Sequence, residues 1–263
     1  MVVTGAASGI GRRLVAVLSG RGDCVLATDV SYPRLVDVGQ TDGWSEHRVA
    51  VRHLDVVDPA GWEAALDFAE GRFGSVTHVV NNAGVLSPDW LVNAKDADIH
   101  RQLDVNVKGV VFGTRAAARR MVERRSGHIV NVGSLASLTP VPGLSLYAAS
   151  KFAVRGFSLS AALELQGFGV AVTVVMPDAV QTPMLDLQKG RDEAALTFSG
   201  GSALSPDAIA MAILESFERR PLEVTLPPSR GALAKLAGLA PELGAKIAPM
   251  MRRRGQKAQD RQR

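Results

Sequence analysis

The chain has 263 residues, 46% hydrophobic and 21% charged, an ordinary globular balance with apolar mass enough for one large α/β domain. Its net charge of +4 is misleading: residues 252–263 hold Arg252, Arg253, Arg254, Lys257, Arg261 and Arg263 against Asp260, a net of +5, so the rest stands near −1 and no nucleic-acid partner is expected. One cysteine, Cys24, excludes an internal disulfide, no apolar run is long enough to span a membrane, and no basic-then-apolar leader opens the chain; a cytoplasmic location is predicted.

Short β-branched runs alternate with helical segments. Strands are predicted over 2–4, 24–29, 49–54, 77–81, 128–132 and 170–176, with a last one over 222–226. Helices are predicted over 10–19, from Asp58-Pro59 to about 73, over 96–125 as one long element, and from Ser205-Pro206 to about 219. The strands show little in-and-out alternation, which points to burial on both faces. Such repeated alternation makes a doubly wound α/β domain of about seven parallel strands with helices on both faces. Right-handed crossovers then bring the strands' C-terminal ends to one edge, where ligands bind. The catalytic domain is expected over 1–230, with a mobile loop or lid near 184–204. Residues 231–263 form an extension, weakly amphipathic to 251 and interrupted by Pro241 and Pro249. Its basic end reads as a solvated, disordered tail. A weak contact with an anionic membrane surface and an oligomer contact are the other readings of this segment.

The turn Thr4-Gly5-Ala6-Ala7-Ser8-Gly9-Ile10-Gly11 joins the first strand to the first helix. Glycines at 5, 9 and 11 allow a sharp turn and close approach, and the helix end aims free N–H groups at a pyrophosphate. Asp29 ends the second strand, where a carboxylate accepts from both ribose hydroxyls of an adenosine and repels a 2′-phosphate. Ser8 supplies no cation to attract one. NAD is therefore expected, with NADP the alternative; a plain strand-end cap is the other reading of Asp29. Asp55, with Val56 beside it, is placed either to accept from an adenine amino group or simply to make a turn. Asn81-Asn82-Ala83-Gly84 supports the same edge on the cofactor ribose side.

Tyr147 and Lys151 are four residues apart, one turn apart on one face if this segment is helical. An ammonium beside a phenol is expected to bring its pKa down, so that Tyr147 exchanges a proton with an alcohol or ketone while hydride moves. Alone, such a pair is commonly a solvated helix face. Ser134, 13 residues earlier, could hydrogen-bond the substrate oxygen, and Asn106 could hold a water linking Lys151 to solvent.

With these motifs in place, the sequence resembles the short-chain dehydrogenase/reductase family from Thr4 to about Pro183. The resemblance rests on the 4–11 turn, Asn-Asn-Ala-Gly at 81–84, Asn106, Ser134 and Tyr-x-x-x-Lys at 147–151, in order and spacing. It implies a Rossmann-type fold and a catalytic tetrad of Asn106, Ser134, Tyr147 and Lys151. It also implies that Lys151 binds the nicotinamide ribose. Asn82, Ala83, Gly84 and Val105 would line the cofactor, and Pro177 and Thr182 would hold the nicotinamide carboxamide. Family members are usually dimers or tetramers, built through the helices that hold Asn106 and Tyr147. Two departures stand out. Asp178 replaces the glycine that often follows Pro177, which puts a side chain near the nicotinamide. The first strand also starts almost at Met1, a few residues short of usual; a truncated start, if that is the cause, would be expected to weaken the edge near Val2.

The residues flanking the site are mostly apolar: Leu135, Leu138, Val141, Pro142, Leu144 and Leu146, then Met184, Leu185, Leu187 and Phe198. No Arg or Lys stands among them, although Lys189 and Arg191 are close in sequence. Leu135, Leu144, Asp178 and Leu185 are the candidate substrate residues. A hydrophobic secondary alcohol and its ketone, or an alcohol–aldehyde pair, is the expected substrate. Loop packing explains many of the same residues. An NAD(H)-binding sensor or scaffold without turnover is the competing function. No metal ligand set is expected.

Overall fold

The computed structural model describes residues 1–261, and in it the β-branched runs form seven strands of one parallel sheet. They are β1 (Val2–Thr4), β2 (Val25–Asp29), β3 (Val49–His53), β4 (His78–Asn81), β5 (Gly127–Val132), β6 (Val170–Pro177) and β7 (Glu223–Leu226). Their order is β3-β2-β1-β4-β5-β6-β7. The order reverses between β1 and β4, which leaves a crevice beyond their C-terminal ends. Every residue of β1 and β5 is buried, so neither strand has a solvent face and neither alternates. The strand that begins at Val2 lies at the sheet centre rather than at an edge. Val2 is fully buried, paired with Leu26 on one side and Val79 on the other.

The helices are α1 (Gly9–Gly20), α2 (Tyr32–Thr41), α3 (Pro59–Phe73), α4 (Asp96–Leu103), α5 (Gly109–Glu123), α6 (Ser145–Gln166), α7 (Pro183–Asp186), α8 (Pro206–Arg219), α9 (Pro228–Leu239) and α10 (Pro241–Asp260). One core packs α1 and α8 on one face of the sheet through Leu14, Leu18, Ile209 and Ile213. The other packs α3, α5 and α6 on the opposite face through Trp62, Leu66, Met121 and Ala161. Asp58 caps α3 as expected, its carboxylate accepting from Ala60 N at 3.0 Å. The helix predicted over 96–125 is interrupted by a π turn, Asp104–Lys108, which carries Asn106. Among the described residues no helix is long and apolar enough to cross a membrane.

Residues 184–204, expected as a mobile loop or lid, hold α7 and then 3-10 turns over Asp192–Ser199. One expectation for the C-terminal third is corrected: the basic tail is not disordered, although Arg253, Arg254, Lys257 and Arg261 stay exposed. It forms the second half of α10 and packs on those turns, while Arg263 lies outside the described residues. Gly255 makes this packing possible, since a Cβ there would fall 1.8 Å from Ala195 O. Arg252 lies over the Trp90 ring at 4.7 Å, and Gln259 is buried. Pro241 occupies the first turn of α10, where no N–H is needed, and Pro249 sits inside the helix without ending it.

At the opposite end of the sheet, His78 and His128 are register partners, with ring centroids 5.9 Å apart and Phe217 against both. Thr173 Oγ1 donates to Pro221 O, so His128 donates to it through Nε2, at 2.9 Å. Burial lowers the pKa of His78 to about 4 and that of His128 to about 3, with nearby positive charge adding to it. An unfolded histidine takes up a proton near pH 6.5, where these two in the folded chain do not. Their contribution is therefore present above that pH and is lost as pH falls toward 4 and 3. Replacing both with glutamine is expected to flatten the acid side of a denaturant-stability profile; an unchanged slope would show that other groups set it.

Candidate active site

The glycine turn opens at the C-terminal end of β1. Gly5 and Gly9 have φ of +67° and +53°, the left-handed region that glycine adopts without strain. Gly11 is needed for close packing, because a Cβ there would lie 2.3 Å from Gly5 O. Thr4 Oγ1 accepts from the N–H groups of Asn82 and Ala83, both at 3.0 Å, and Asn82 Nδ2 donates to Thr4 O at 2.9 Å. The Asn-Asn-Ala-Gly segment thus braces the turn from β4. Ser8 stands at the N-cap of α1, but its side chain makes no capping bond, so the helix's positive end is left to a ligand.

Asp29 Oδ2 accepts from Ala7 N at 3.0 Å and Oδ1 from Ser31 N at 2.9 Å, which holds the carboxylate beside the turn with lone pairs to spare. Asp55 Oδ1 accepts from Val57 N at 3.1 Å, an Asx turn. Both carboxylates line a single cavity of about 1050 Å³. Gly5, Ser8, Gly9, Ile10, Val56, Asn82, Ala83, Gly84, Val105, Pro177 and Thr182 line it too. Gly11 and Asn106 do not. Thr182 abuts the glycine turn, where a Cβ on Gly9 would fall 2.9 Å from its Cγ2. A glycine cradle that no other residue would fit, an uncapped helix end and a carboxylate at the second strand's end fit a dinucleotide.

Ser134, Tyr147 and Lys151 line the same cavity. Ser134 caps the 3-10 turn Leu135–Ser137, with its Oγ accepting from Ala136 N at 3.1 Å. Tyr147 and Lys151 are both buried on α6, and Lys151 Nζ lies 5.6 Å from the Tyr147 ring centroid. The expected lowering of the phenol pKa is not found. Burial pushes Tyr147 up to about 12, and the hydrogen bond with Ser134 only partly offsets it. Burial also lowers Lys151 to about 8, and its Nζ donates to Val132 O at 2.9 Å. Desolvation thus sets the direction of both shifts.

Asn106 does not reach the cavity. The π turn directs its buried amide at the loop after β4: Oδ1 accepts from Val85 N at 2.8 Å, and Nδ2 donates to Val85 O at 2.9 Å and Ser150 Oγ at 3.0 Å. Gly84 brings the pieces together, since a Cβ on it would lie 3.3 Å from Asn106 Oδ1 and 3.7 Å from Lys151 Nζ.

Of the apolar residues after Ser134, Leu135, Val141, Pro142 and Leu144 line the cavity, as do Met184 and Leu185. Leu138 instead joins a core cluster, and Leu187 points to solvent. Leu146 and Phe198 are not in the lining. The sequence reading missed the far wall, which α9 and α10 supply through Leu233, Ala237, Ile247, Ala248 and Met251. The amphipathic pattern of 231–251 was the available signal. It also missed two cations in the lining, Arg101 and Arg230. Asp178 points at the second: Arg230 Nε lies 2.6 Å from its Oδ2.

A doubly wound parallel sheet with a glycine turn at its first strand and a buried Tyr–Lys pair across the same cavity defines the class of dinucleotide-binding oxidoreductases. The chain belongs to the short-chain dehydrogenase/reductase family: the family model for short chain dehydrogenases matches residues 1–192. A 3-alpha-(or 20-beta)-hydroxysteroid dehydrogenase of Mycobacterium tuberculosis is 38% identical over 187 residues, 70% of each chain. The structure of a family member from Burkholderia phymatum in complex with NAD superposes with a TM-score of 0.82 at 27% identity, covering 92% of this chain and 94% of that one. The closed form of a serine dehydrogenase complexed with NADP+ is 31% identical, with a TM-score of 0.76 over 85% of this chain and 92% of that one.

Proposed function

We propose that the protein interconverts a hydrophobic secondary alcohol and its ketone, using NAD in preference to NADP, with Tyr147 as the general acid and base. The observation that carries this reading is the buried Tyr147 phenol, in a cavity it shares with Ser134, Lys151 and the glycine turn, with Lys151 Nζ 5.6 Å from its ring centroid. Bound nicotinamide supplies the hydride acceptor or donor. Ser134 holds the substrate oxygen. Tyr147 donates its proton to that oxygen in reduction and takes it back in oxidation. Lys151 provides positive charge beside the phenol while it is protonated, below about pH 8. Asn106 is a positioning residue, holding the 84–85 loop against α6 through Val85 and Ser150.

Gly5, Ser8, Gly9 and Ile10 cradle the pyrophosphate, with Gly11 packed behind them to let the turn close; Asp29 takes the adenosine ribose, and Asp55 and Val56 flank the adenine. Asn82, Ala83, Gly84 and Val105 line the middle, and Pro177 and Thr182 hold the carboxamide. Leu135, Leu144 and Leu185 contact the substrate, whose apolar character is supported by the α9 and α10 wall. Residues 1–230 are the catalytic body, and the C-terminal extension closes its substrate side. The test is turnover of a panel of apolar and polar secondary alcohols and ketones with each nicotinamide cofactor. Preference for the apolar members with NAD is expected. Tight NADH binding with no turnover across the panel would favour a sensor instead.

A further inference from the structure

Two charged side chains in the cavity wall take no part in the proton chemistry. Asp178 follows β6, and its backbone N–H donates to Leu226 O at 2.8 Å, which ties the loop to β7. Arg230 stands in the first turn of α9 and reaches back to it, at 2.6 Å. The side chains keep 20% and 31% exposure, and both line the cavity that holds Tyr147 and Ser134. Arg230 is also held from its other side, since a Cβ on Gly200 would fall 1.9 Å from Arg230 Nη1; only a glycine leaves room for the guanidinium there. A guanidinium has five N–H donors, and Asp178 is its one ion-pair partner among the described residues. Burial raises the Asp178 carboxyl above its ordinary range, and Arg230 draws it back down.

We infer that the Asp178–Arg230 pair is the charge filter of the substrate half of the cavity. Paired, the two present no net charge, so this wall, unlike the exposed Arg101 elsewhere in the lining, takes neutral alcohols and ketones and gives no advantage to a substrate bearing a carboxylate. The inference rests on the oxidoreductase reading and narrows its substrate class. Without Asp178, the guanidinium becomes an anchor for a substrate anion. Without Arg230, an unpaired carboxylate repels one. Removing both restores neutrality.

The test uses two ketones that differ only at the far end, 2-octanone and 7-oxooctanoate, with NADH and four proteins: wild type, D178N, R230Q and the double variant. The quantity read is the ratio of kcat/KM for the keto acid to that for the ketone. It is expected to rise in D178N by about 10- to 100-fold, the worth of one hydrogen bond to a charged group. It should fall in R230Q and return to the wild-type value in the double variant. Calorimetric titration of each NADH complex with octanoate and with 1-octanol reads the same order without turnover. An equal ratio in all four proteins, with lowered melting temperatures in the single variants, would make the pair a structural tether and overturn the filter. Should D178N fail to fold, a ratio unchanged between wild type and R230Q overturns it equally. Absence of turnover with the octanoate order intact would sink the oxidoreductase reading and leave the filter standing. Turnover with a flat ratio would do the reverse.

Discussion

Tyr147→Phe is expected to lower kcat in both reaction directions by about 10²- to 10⁴-fold, the usual worth of a general acid or base, with NADH binding retained. Phenylalanine keeps the ring packed among Leu86, Ala136, Leu144 and Ala148, so the fold should survive and only the proton is lost. The variant therefore separates chemistry from packing, as deleting the whole side chain would not. The pH dependence has a definite sign. With the phenol raised to about 12, Tyr147 is protonated throughout the neutral range and ready to serve as the acid in ketone reduction. Alcohol oxidation needs the phenolate, so its rate should climb with pH in the wild type, and this climb should vanish in Tyr147→Phe. Steady-state kinetics over pH, with NADH binding followed by fluorescence, checks both points. Wild-type turnover in the variant would dismiss Tyr147 as the proton carrier.

Asp29→Asn should shift the preference between the two cofactors by about 10²-fold toward NADP, by weakening hydrogen bonds from ribose hydroxyls to a charged acceptor and removing a charge that repels a 2′-phosphate. Two structural duties of the carboxylate complicate the expectation usefully. It accepts from Ala7 N within the glycine turn and from Ser31 N ahead of α2. Were these its only duties, the substitution would loosen the turn and weaken NAD and NADP alike. A reader of the ribose loses NAD and gains NADP. Dissociation constants for both reduced cofactors decide between the two, and parallel weakening would assign Asp29 to the loop alone.

The order of elements, the double-sided burial of the strands, the glycine turn and the Tyr–Lys pair were legible in the sequence. Each depends on local spacing or on residue type: 2–4 and 128–132 read as strands because β-branched runs do so in any parallel sheet, and glycines at 5, 9 and 11 declare a turn that a Cβ would block. What no local pattern carries is the outcome of long-range packing. Asn106 lies in a π turn that directs its amide to Val85 rather than to the cavity, a matter of one extra residue in a helical turn. Burial reverses the expected pKa shift of Tyr147, because desolvation depends on everything folded around the phenol. Residues 252–261, a charge run in sequence, become a packed helix only because Gly255 meets Ala195 from a distant segment. The sequence by itself determined the class of chemistry and the turn and pair that frame it. Only the tertiary structure decided that the C-terminal extension walls the substrate half, and that Asp178 meets Arg230 there, because both result from contacts between segments some fifty residues apart or more.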